Sequence, residues 1–142
     1  MNDFGFDHIL RDEGIAYTTG SPLDQVEIAR RGISKKSLLK IAEWSSLSIR
    51  ELSALLPVTL RTIQRYRDDE LLDPNVSERA LLIVEVLEKG MEVFNSRETL
   101  QTWLHTPMPA FDQQTPLSLL DTGFGARMVM DTLGRIEHGV FS

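Results

Sequence analysis

The side chains that could act as acids, bases or metal ligands are few and scattered along this sequence. Glu137 and His138 are adjacent, but no nucleophile or second base lies near them, and a histidine at a helix end usually stabilises the helix dipole. His8, His105 and His138 are too far apart to indicate a metal site, and the chain has no cysteine. The "GFG" at 123–125 lacks the third glycine and the preceding strand of a dinucleotide fingerprint. We therefore predict no catalytic residues, no metal and no cofactor, and we do not expect an enzyme.

A different chemistry, the recognition of bases and phosphates, is indicated around residues 48–66. The stretch "SIRELSALLPVTLRTIQRY" has the form of a helix-turn-helix, with a tight turn at Leu56-Pro57-Val58 and Ile63 as the inward anchor of the second helix. Ala54 is the small residue expected where the two helices cross. Arg and Gln can contact guanine and adenine through two hydrogen bonds, and we expect Lys35, Lys36 and Arg67 to contact phosphates. The predicted DNA-binding residues are Lys35, Lys36, Thr59, Arg61, Thr62, Gln64, Arg65 and Arg67.

The charge distribution favours a nucleic-acid interface although the net charge is −6. Between residues 30 and 67, nine basic and two acidic residues give +7, whereas residues 1–29 carry −5 and residues 68–142 carry −8. A cationic segment between two anionic ones is typical of a small DNA-binding module joined to a module of another kind. The alternative left open by these residues is a four-helix packing unit with a charged, solvated face.

The elements that must position these residues are helices, because strand signals are nearly absent. Predicted helix starts are Ser21 before Pro22, Ser34, the capping box of Ser48 and Glu51, Thr59 and Ser96. The Asp73-Pro74-Asn75 sequence is expected to break the chain before a long helix from about residue 77 to residue 94. A last helix is expected from about residue 123 to residue 137, ended by Gly139. Core positions predicted from apolar helical stripes include Leu39, Trp44, Phe94, Trp103 and Met128.

The final residues, "RIEHGVFS", place Val140 and Phe141 after a glycine and next to the last carboxylate of the sequence. Chain ends are usually polar. Val140, Phe141 and the carboxylate lie on a short segment after the helix and form a compact anchor. Burial of the Phe side chain alone is worth about 1.5–3 kcal/mol of binding free energy. We expect this tail to enter a cavity of another protein. The alternative is that both side chains fold back onto their own domain as a lid.

Two stretches of the sequence resemble a known family. "LPVTLRTIQRY" is similar to the Xre-type (Cro/repressor-like) helix-turn-helix, with Pro57 in place of the usual glycine. The region from Phe94 onward resembles the toxin-binding domain of the Xre/MbcA/ParS antitoxin family. The matching features are Phe94, Trp103-Leu104, the Pro107/Pro109 loop, "TPLSLLDT", Gly125 and "LGRIEHGVFS". The resemblance covers roughly residues 30–142, and it departs from many members at 110–114, where those have a glycine-containing turn.

The resemblance implies an all-α antitoxin, with a Cro/repressor-like helix-turn-helix module followed by a small helical toxin-binding module. The domains expected are an N-terminal arm over 1–20, a DNA-binding domain over 21–72 and a toxin-binding domain over 73–142. The implied partner is a RES-domain toxin that breaks down NAD⁺, whose active site the antitoxin occludes. The implied toxin-binding residues are Arg135, Glu137, His138, Gly139, Val140, Phe141 and Ser142. The resemblance also implies a homodimer that represses its own operon by binding operator DNA; the alternative is a stand-alone repressor without a toxin.

The sequence also indicates where the protein acts. Its first residues, "MNDFGFDHILRDE", lack the basic-then-apolar pattern of a signal peptide, and no apolar run approaches the length of a bilayer span. We expect a soluble, cytoplasmic protein with no membrane partner.

Overall fold

The fold is all-α, as the sequence predicts, in the computed structural model, which describes residues 21–139. The α-helices of this part of the chain are α1 (Pro22–Arg31), α2 (Lys35–Ser45), α3 (Ile49–Ala54), α4 (Leu60–Arg65), α5 (Pro74–Phe94), α6 (Arg97–Leu104) and α7 (Gly123–Glu137). Two short 3₁₀ helices, Pro109–Phe111 and Leu117–Asp121, lie between α6 and α7. Extended pairing within residues 21–139 is limited to two isolated bridges. None of the described helices is long and apolar enough to cross a bilayer.

Side-chain caps begin the helices at the predicted residues. The hydroxyl oxygens of four of these caps accept a hydrogen bond from the backbone N–H three residues later, at 3.1–3.2 Å: Ser21, Ser34, Thr59 and Ser96. Ser48 and Glu51 form the predicted reciprocal capping box, with distances of 3.0 and 3.1 Å. Thr122 caps α7 through the Gly125 N–H at 2.9 Å, a cap that the sequence did not lead us to predict. Each cap satisfies a backbone donor that has no partner within its own helix.

The long helix α5 begins earlier than expected, at Pro74 rather than near Ser77. The Asp73 carboxylate accepts a hydrogen bond from the Asn75 N–H at 2.8 Å, and the Asp73 carbonyl accepts one from the Ser77 N–H at 2.9 Å. Asp73 therefore caps the helix and Pro74 occupies its first position, where the missing N–H of proline costs nothing. The sequence that we took as a chain break is the start of the helix.

The chain forms two compact units, and they divide within α5. The first unit ends at Glu85 and the second begins at Val86. The boundary expected from the sequence, between residues 72 and 73, coincides with the start of α5. The N-terminal half of that helix therefore belongs to the first unit, together with α1 to α4.

The first unit closes around the segment that links α4 to α5. Leu72 donates its N–H to the Ile33 carbonyl at 2.8 Å, and Ser34 and Leu71 form an isolated bridge. The buried hydroxyl of Ser77 accepts the Ile33 N–H at 2.9 Å and donates to the Leu72 carbonyl. These bonds fix the linker beside the start of α2. The unit's fully buried core side chains include Ile28, Ile33, Leu38, Ile41, Leu52, Ile63 and Ile83.

The second unit packs α7 against the 3₁₀ helix Leu117–Asp121. Its buried side chains include Leu104, Phe111, Leu120, Val129 and Leu133. Gly125 allows the close approach, because a Cβ on this residue would overlap the Leu119 carbonyl. In the loop where the sequence departs from the glycine-containing turn, Asp112 and Gln113 both adopt positive φ angles, 56° and 66°. The left-handed conformation that glycine usually supplies is therefore present here without a glycine.

Several residues expected in the core are only partly covered. Trp44, Phe94 and Trp103 are half-buried, with the Phe94 and Trp103 rings in tilted contact at 5.5 Å between centroids. Leu39 and Met128 are exposed, with relative accessibilities of 38% and 46%. The predictions for Leu39 and Met128 were wrong, because an apolar stripe gives the direction of a buried helix face but not its width.

Candidate functional site

The turn between α3 and α4 is built around Pro57 without any positive φ angle. The Val58 N–H donates to the Leu56 carbonyl at 2.8 Å, which closes a three-residue turn with Pro57 at its centre. An inverse γ-turn of this kind needs a negative φ at its central residue, and proline is fixed in that range. Leu55 and Leu56 are buried beside this turn. Proline therefore replaces the usual glycine by changing the turn type.

The small residue expected at the crossing of α3 and α4 is not the one that is buried. Ser53 is buried, with 6% relative accessibility, whereas Ala54 is exposed. The Ser53 hydroxyl donates to the Arg50 carbonyl at 3.0 Å, so its polar atom remains satisfied within the helix. The prediction for Ala54 was wrong by one position, and that shift turns a side chain by about 100° on a helix.

Helix α4 presents long polar side chains to solvent. Arg61, Gln64 and Arg65 are exposed, and Ile63 is completely buried as the predicted anchor. Thr59 is exposed and Thr62 half-buried, and the Thr59 hydroxyl both accepts the Thr62 N–H and donates to the Thr62 hydroxyl at 2.9 Å. The two threonines thus start the helix, whereas the arginines and the glutamine are the side chains of α4 that extend far enough to meet base edges.

Lys35 lies beside the C-terminal end of α4. Its ammonium group donates to the Tyr66 carbonyl at 2.9 Å and to the Gln64 carbonyl at 3.4 Å. The backbone N–H groups of Lys35 and Lys36 donate to the Glu70 and Asp68 carbonyls, at 3.0 and 2.9 Å. A cation at the carbonyl end of a helix is stabilising, so Lys35 ties the start of α2 to the end of α4.

Lys36 and Arg67 are the exposed cations next to this contact. The Arg67 guanidinium lies 3.5 Å from the Asp69 carboxylate, and both side chains are more than three-quarters exposed. Such a pair is held weakly in water. Of the three residues expected to meet phosphates, Lys36 and Arg67 present their charges to solvent, and Lys35 directs its charge to backbone carbonyls.

The residues expected to bind a partner in the second unit lie at the end of α7. Arg135 is exposed and donates to the Thr132 hydroxyl at 3.3 Å. His138 is exposed and follows the last helical residue, and Gly139 leaves the helix with a φ of 73°. Val140, Phe141 and Ser142 lie outside the described residues, as does the N-terminal arm over 1–20.

Glu137 has a partner within its own unit. Its carboxylate accepts a hydrogen bond from the Lys89 ammonium at 2.5 Å, and Lys89 also reaches Glu92 at 3.2 Å. The hydrogen bond from Lys89 lowers the pKa of the Glu137 carboxyl below its usual value, and the same bond raises the pKa of Lys89. Glu137 is therefore held ionised by an ion pair that joins α5 to α7. Within residues 21–139, no group of three or more His, Cys, Asp or Glu side chains is arranged to hold a metal ion.

Sequence reasoning missed an exposed apolar pair on α7. Phe124 is 77% exposed and Met128 is 46% exposed, one helical turn further along the same face. The Arg127 guanidinium lies over the Phe124 ring at 5.7 Å from its centroid. The sequence could have predicted this exposure, because helical spacing places Phe124 and Met128 on the same face as charged residues. These are Arg127, Asp131 and Arg135, whereas the buried Val129 and Leu133 lie on another face. We assigned Met128 to the core because it lies next to the buried apolar stripe of Val129 and Leu133.

Comparisons with known proteins match both units. Residues 24–85 match the family described as the antitoxin Xre-like helix-turn-helix domain, and residues 89–139 match the antitoxin Xre/MbcA/ParS C-terminal toxin-binding domain. The two matches fall on either side of the division within α5.

Curated relatives are similar along nearly the whole chain. The chain is 32% identical over 136 residues to a protein named Antitoxin Xre from Yersinia enterocolitica, covering 94% of this chain and 90% of that protein. It is 25% identical over 132 residues to a protein named Prs ADP-ribosylating antitoxin from a Sphingobium species, covering 86% of this chain and 83% of that protein. Among solved structures, the MbcT–MbcA toxin–antitoxin complex of M. tuberculosis contains a chain of the same fold. That chain aligns with a TM-score of 0.59 and 18% identity, over 76% of this chain and 96% of its own length.

Proposed function

Because the chain belongs to the Xre/MbcA/ParS antitoxin family, we propose that it neutralises a RES-domain toxin that degrades NAD⁺ and that it represses its own operon. Membership of this family makes the protein an antitoxin of a toxin–antitoxin system that carries a helix-turn-helix domain. The identity of the toxin, the way it is blocked and the repression of the operon are the parts that we add. We assign no catalytic role to the chain.

The observation that supports the proposal most directly is the conformation of the chain at the end of α7. Gly139 turns the chain out of the helix with a φ of 73°, after the exposed His138. The residues that follow it in sequence are Val140, Phe141 and Ser142. We propose that they enter the active site of the toxin, where the side chains of Val140 and Phe141 become buried. Arg135 and His138 contribute at the rim of that site.

The roles of Glu137 and Gly139 in this arrangement are indirect. Glu137 is paired with Lys89, so it holds the last turn of α7 on its own unit. Gly139 supplies the positive φ that a residue with a side chain rarely adopts. Both would fix the direction in which the tail leaves the helix.

Operator binding is proposed to use α4. The exposed Arg61, Gln64 and Arg65 would read base edges in the major groove, and Lys36 and Arg67 would contact phosphates. Thr59, Thr62 and Lys35 would fix α4 through the cap and carbonyl contacts described above. We propose that the chain acts in the cytoplasm as a homodimer, so that two copies of α4 meet half-sites about 34–36 Å apart.

The role of the tail is tested by measuring how fast the proposed RES-domain partner consumes NAD⁺ in the presence of the antitoxin. Equimolar antitoxin should suppress that consumption, and deletion of residues 140–142 should restore it, because the two apolar side chains of the tail are removed together. We expect at least a tenfold loss of inhibition, since burial of one Phe alone is worth about 1.5–3 kcal/mol. The measurement is an inhibition curve for each variant against a fixed toxin concentration.

Thr102→Ala, at an exposed position of α6, is the control, since it leaves the tail intact. A truncated chain that inhibits as strongly as the wild type would contradict the role of the tail. A wild-type chain that does not inhibit, or a partner that does not consume NAD⁺, would contradict the choice of toxin. In that case the stand-alone repressor becomes the better account.

A further inference from the structure

One side of α7, which we call the outward face, forms a continuous surface away from the core. It consists of the half-buried Gly134 and the exposed residues Phe124, Arg127, Met128, Asp131 and Arg135, which recur at three- and four-residue steps. Phe124 is 77% exposed, although large aromatic side chains in a folded domain are usually more buried than this. The buried side of the same helix is separate and consists of Ala126, Val129 and Leu133, so the fold does not need the outward face for its core.

Gly134 is a helix-interior glycine that the fold does not explain. A Cβ built on it meets no atom within 4 Å in the part of the chain that the structure describes. Glycine in the middle of a helix costs about 1 kcal/mol relative to alanine. By contrast, a Cβ on Gly90 would overlap the Leu100 side chain, and one on Gly125 would overlap the Leu119 carbonyl. The fold therefore accounts for those two glycines, but Gly134 lowers the stability of α7 with no compensating contact among the described residues.

We propose that the outward face of α7 is the surface on which the toxin seats, and that Gly134 is a glycine because the toxin's backbone approaches the helix there. This inference rests on the proposed function and adds the location of the interface. Phe124 and Met128 would be its apolar anchors, and the tail after Gly139 would continue from the same helix. The whole of α7 lies within the stretch that matches the toxin-binding domain.

The charges on the outward face identify the chemistry of the partner surface. Residues 86–142 contain seven acidic and four basic residues, a net charge of −3. The outward face, with Arg127 and Arg135 against Asp131, carries the opposite sign. A complementary surface therefore has an apolar recess bordered by carboxylates.

The same charges argue against a second copy of this chain as the occupant. A two-fold contact places the same patch of both subunits together. The cationic face would then meet another cationic face, with four arginines against two aspartates. The toxin is the occupant that avoids this repulsion.

Gly134→Ala and Phe124→Ser test the inference in the full-length chain. Gly134→Ala should raise the thermal midpoint by about 2–5 °C, because alanine favours the helix and has room. It should nevertheless weaken toxin binding at least tenfold, because the added methyl group blocks the approach. Phe124→Ser should leave the midpoint unchanged and weaken binding by a similar factor. Binding is measured by titration against the purified toxin, and stability by thermal unfolding.

Thr102→Ala is the matched control, because it improves helix propensity at an exposed position of α6. It should leave toxin binding within twofold of the wild type. If the wild type binds the toxin and both α7 variants bind equally well, the inference is wrong while the proposed function stands. If both variants instead dissociate a homodimer without weakening toxin binding, the outward face is a contact between copies and the inference is again wrong. A wild-type chain that does not bind the toxin contradicts the proposed function itself, and this inference with it.

Discussion

The charged group of Lys35 makes a contact within the fold. Its type and position indicated a phosphate contact, but its ammonium donates to the Tyr66 and Gln64 carbonyls at the end of α4. Its exposed neighbour Lys36 presents the same charge to solvent. At the residue scale, two adjacent lysines therefore differ in role. The difference is measurable, because loss of a phosphate contact changes the salt dependence of operator affinity, whereas loss of a contact that positions α4 does not.

Lys35→Met should weaken operator binding without changing its salt dependence. Removing the ammonium leaves the last carbonyls of α4 without their donor and costs about 1 kcal/mol of stability, which lowers the thermal midpoint by several degrees. Because no phosphate contact is lost, the slope of log affinity against log salt should stay the same. Lys36→Met should do the opposite, with an unchanged midpoint and a slope smaller by about 0.9. A reduced slope with full stability for Lys35→Met would show that Lys35 contacts DNA after all.

At the scale of elements, α5 and α7 are joined by the ion pair between Lys89 and Glu137. The two residues are 48 positions apart in sequence, and both side chains are about three-quarters covered. Since Glu137 lies in the last turn of α7, this pair determines how firmly the end of that helix is held. The tail that we propose to enter the toxin leaves from the next turn.

The stabilisation from this ion pair should depend on pH at both extremes. The folded-state pKa of Glu137 is lowered by the hydrogen bond from Lys89, so its contribution is present above the usual value of 4.5 and is lost as pH falls through the folded pKa. The pKa of Lys89 is raised, so its contribution is present below 10.5 and is lost as pH rises through the folded pKa. Thermal midpoints of wild type and Glu137→Gln should therefore differ near neutral pH and converge in acid, as the pH falls below 4.5.

Glu43→Gln, at an exposed glutamate on α2, is the control for this measurement. The difference in thermal midpoint between Glu43→Gln and the wild type should not shrink in the same way as the pH falls. A constant difference between wild type and Glu137→Gln over the whole acid range would mean that the ion pair does not stabilise the second unit.

At the scale of the whole molecule, the chain consists of two compact units, and each has its own candidate surface. The division falls within a continuous helix, between Glu85 and Val86, and the two family matches lie on either side of it. The exposed side chains of α4 belong to the first unit, and the outward face of α7 belongs to the second. The two proposed activities should therefore be separable by substitution.

Arg61→Ala combined with Arg65→Ala should abolish specific operator binding and leave toxin neutralisation intact. Each lost bidentate contact to a base is worth about 1–3 kcal/mol, so the double variant should bind the operator at least thirtyfold more weakly. Arg97→Ala, an exposed arginine on α6, controls for the loss of positive charge. Operator affinity and inhibition of NAD⁺ consumption are measured on the same preparations. Loss of both activities in a folded double variant would contradict the two-unit division of function.

The sequence determined the local features of this protein because they depend on neighbouring residues. The caps at Ser21, Ser34, Thr59 and Ser96 and the capping box at Ser48 each need only a hydroxyl and a backbone N–H three residues away. The helical fold and the inward anchor Ile63 followed from the same short-range patterns. The family motifs are similarly local, since each consists of residues that are close together along the chain.

Tertiary structure alone decided what each surface residue contacts. Whether Met128 is buried, whether Lys35 meets a phosphate or a carbonyl, and which cation pairs with Glu137 all depend on residues distant in sequence. Amphipathic periodicity gives the direction of a helix face, but the area that a neighbour covers depends on how the elements pack. The exposure of Phe124 and the open space beside Gly134 are likewise set by the packing of distant elements around α7.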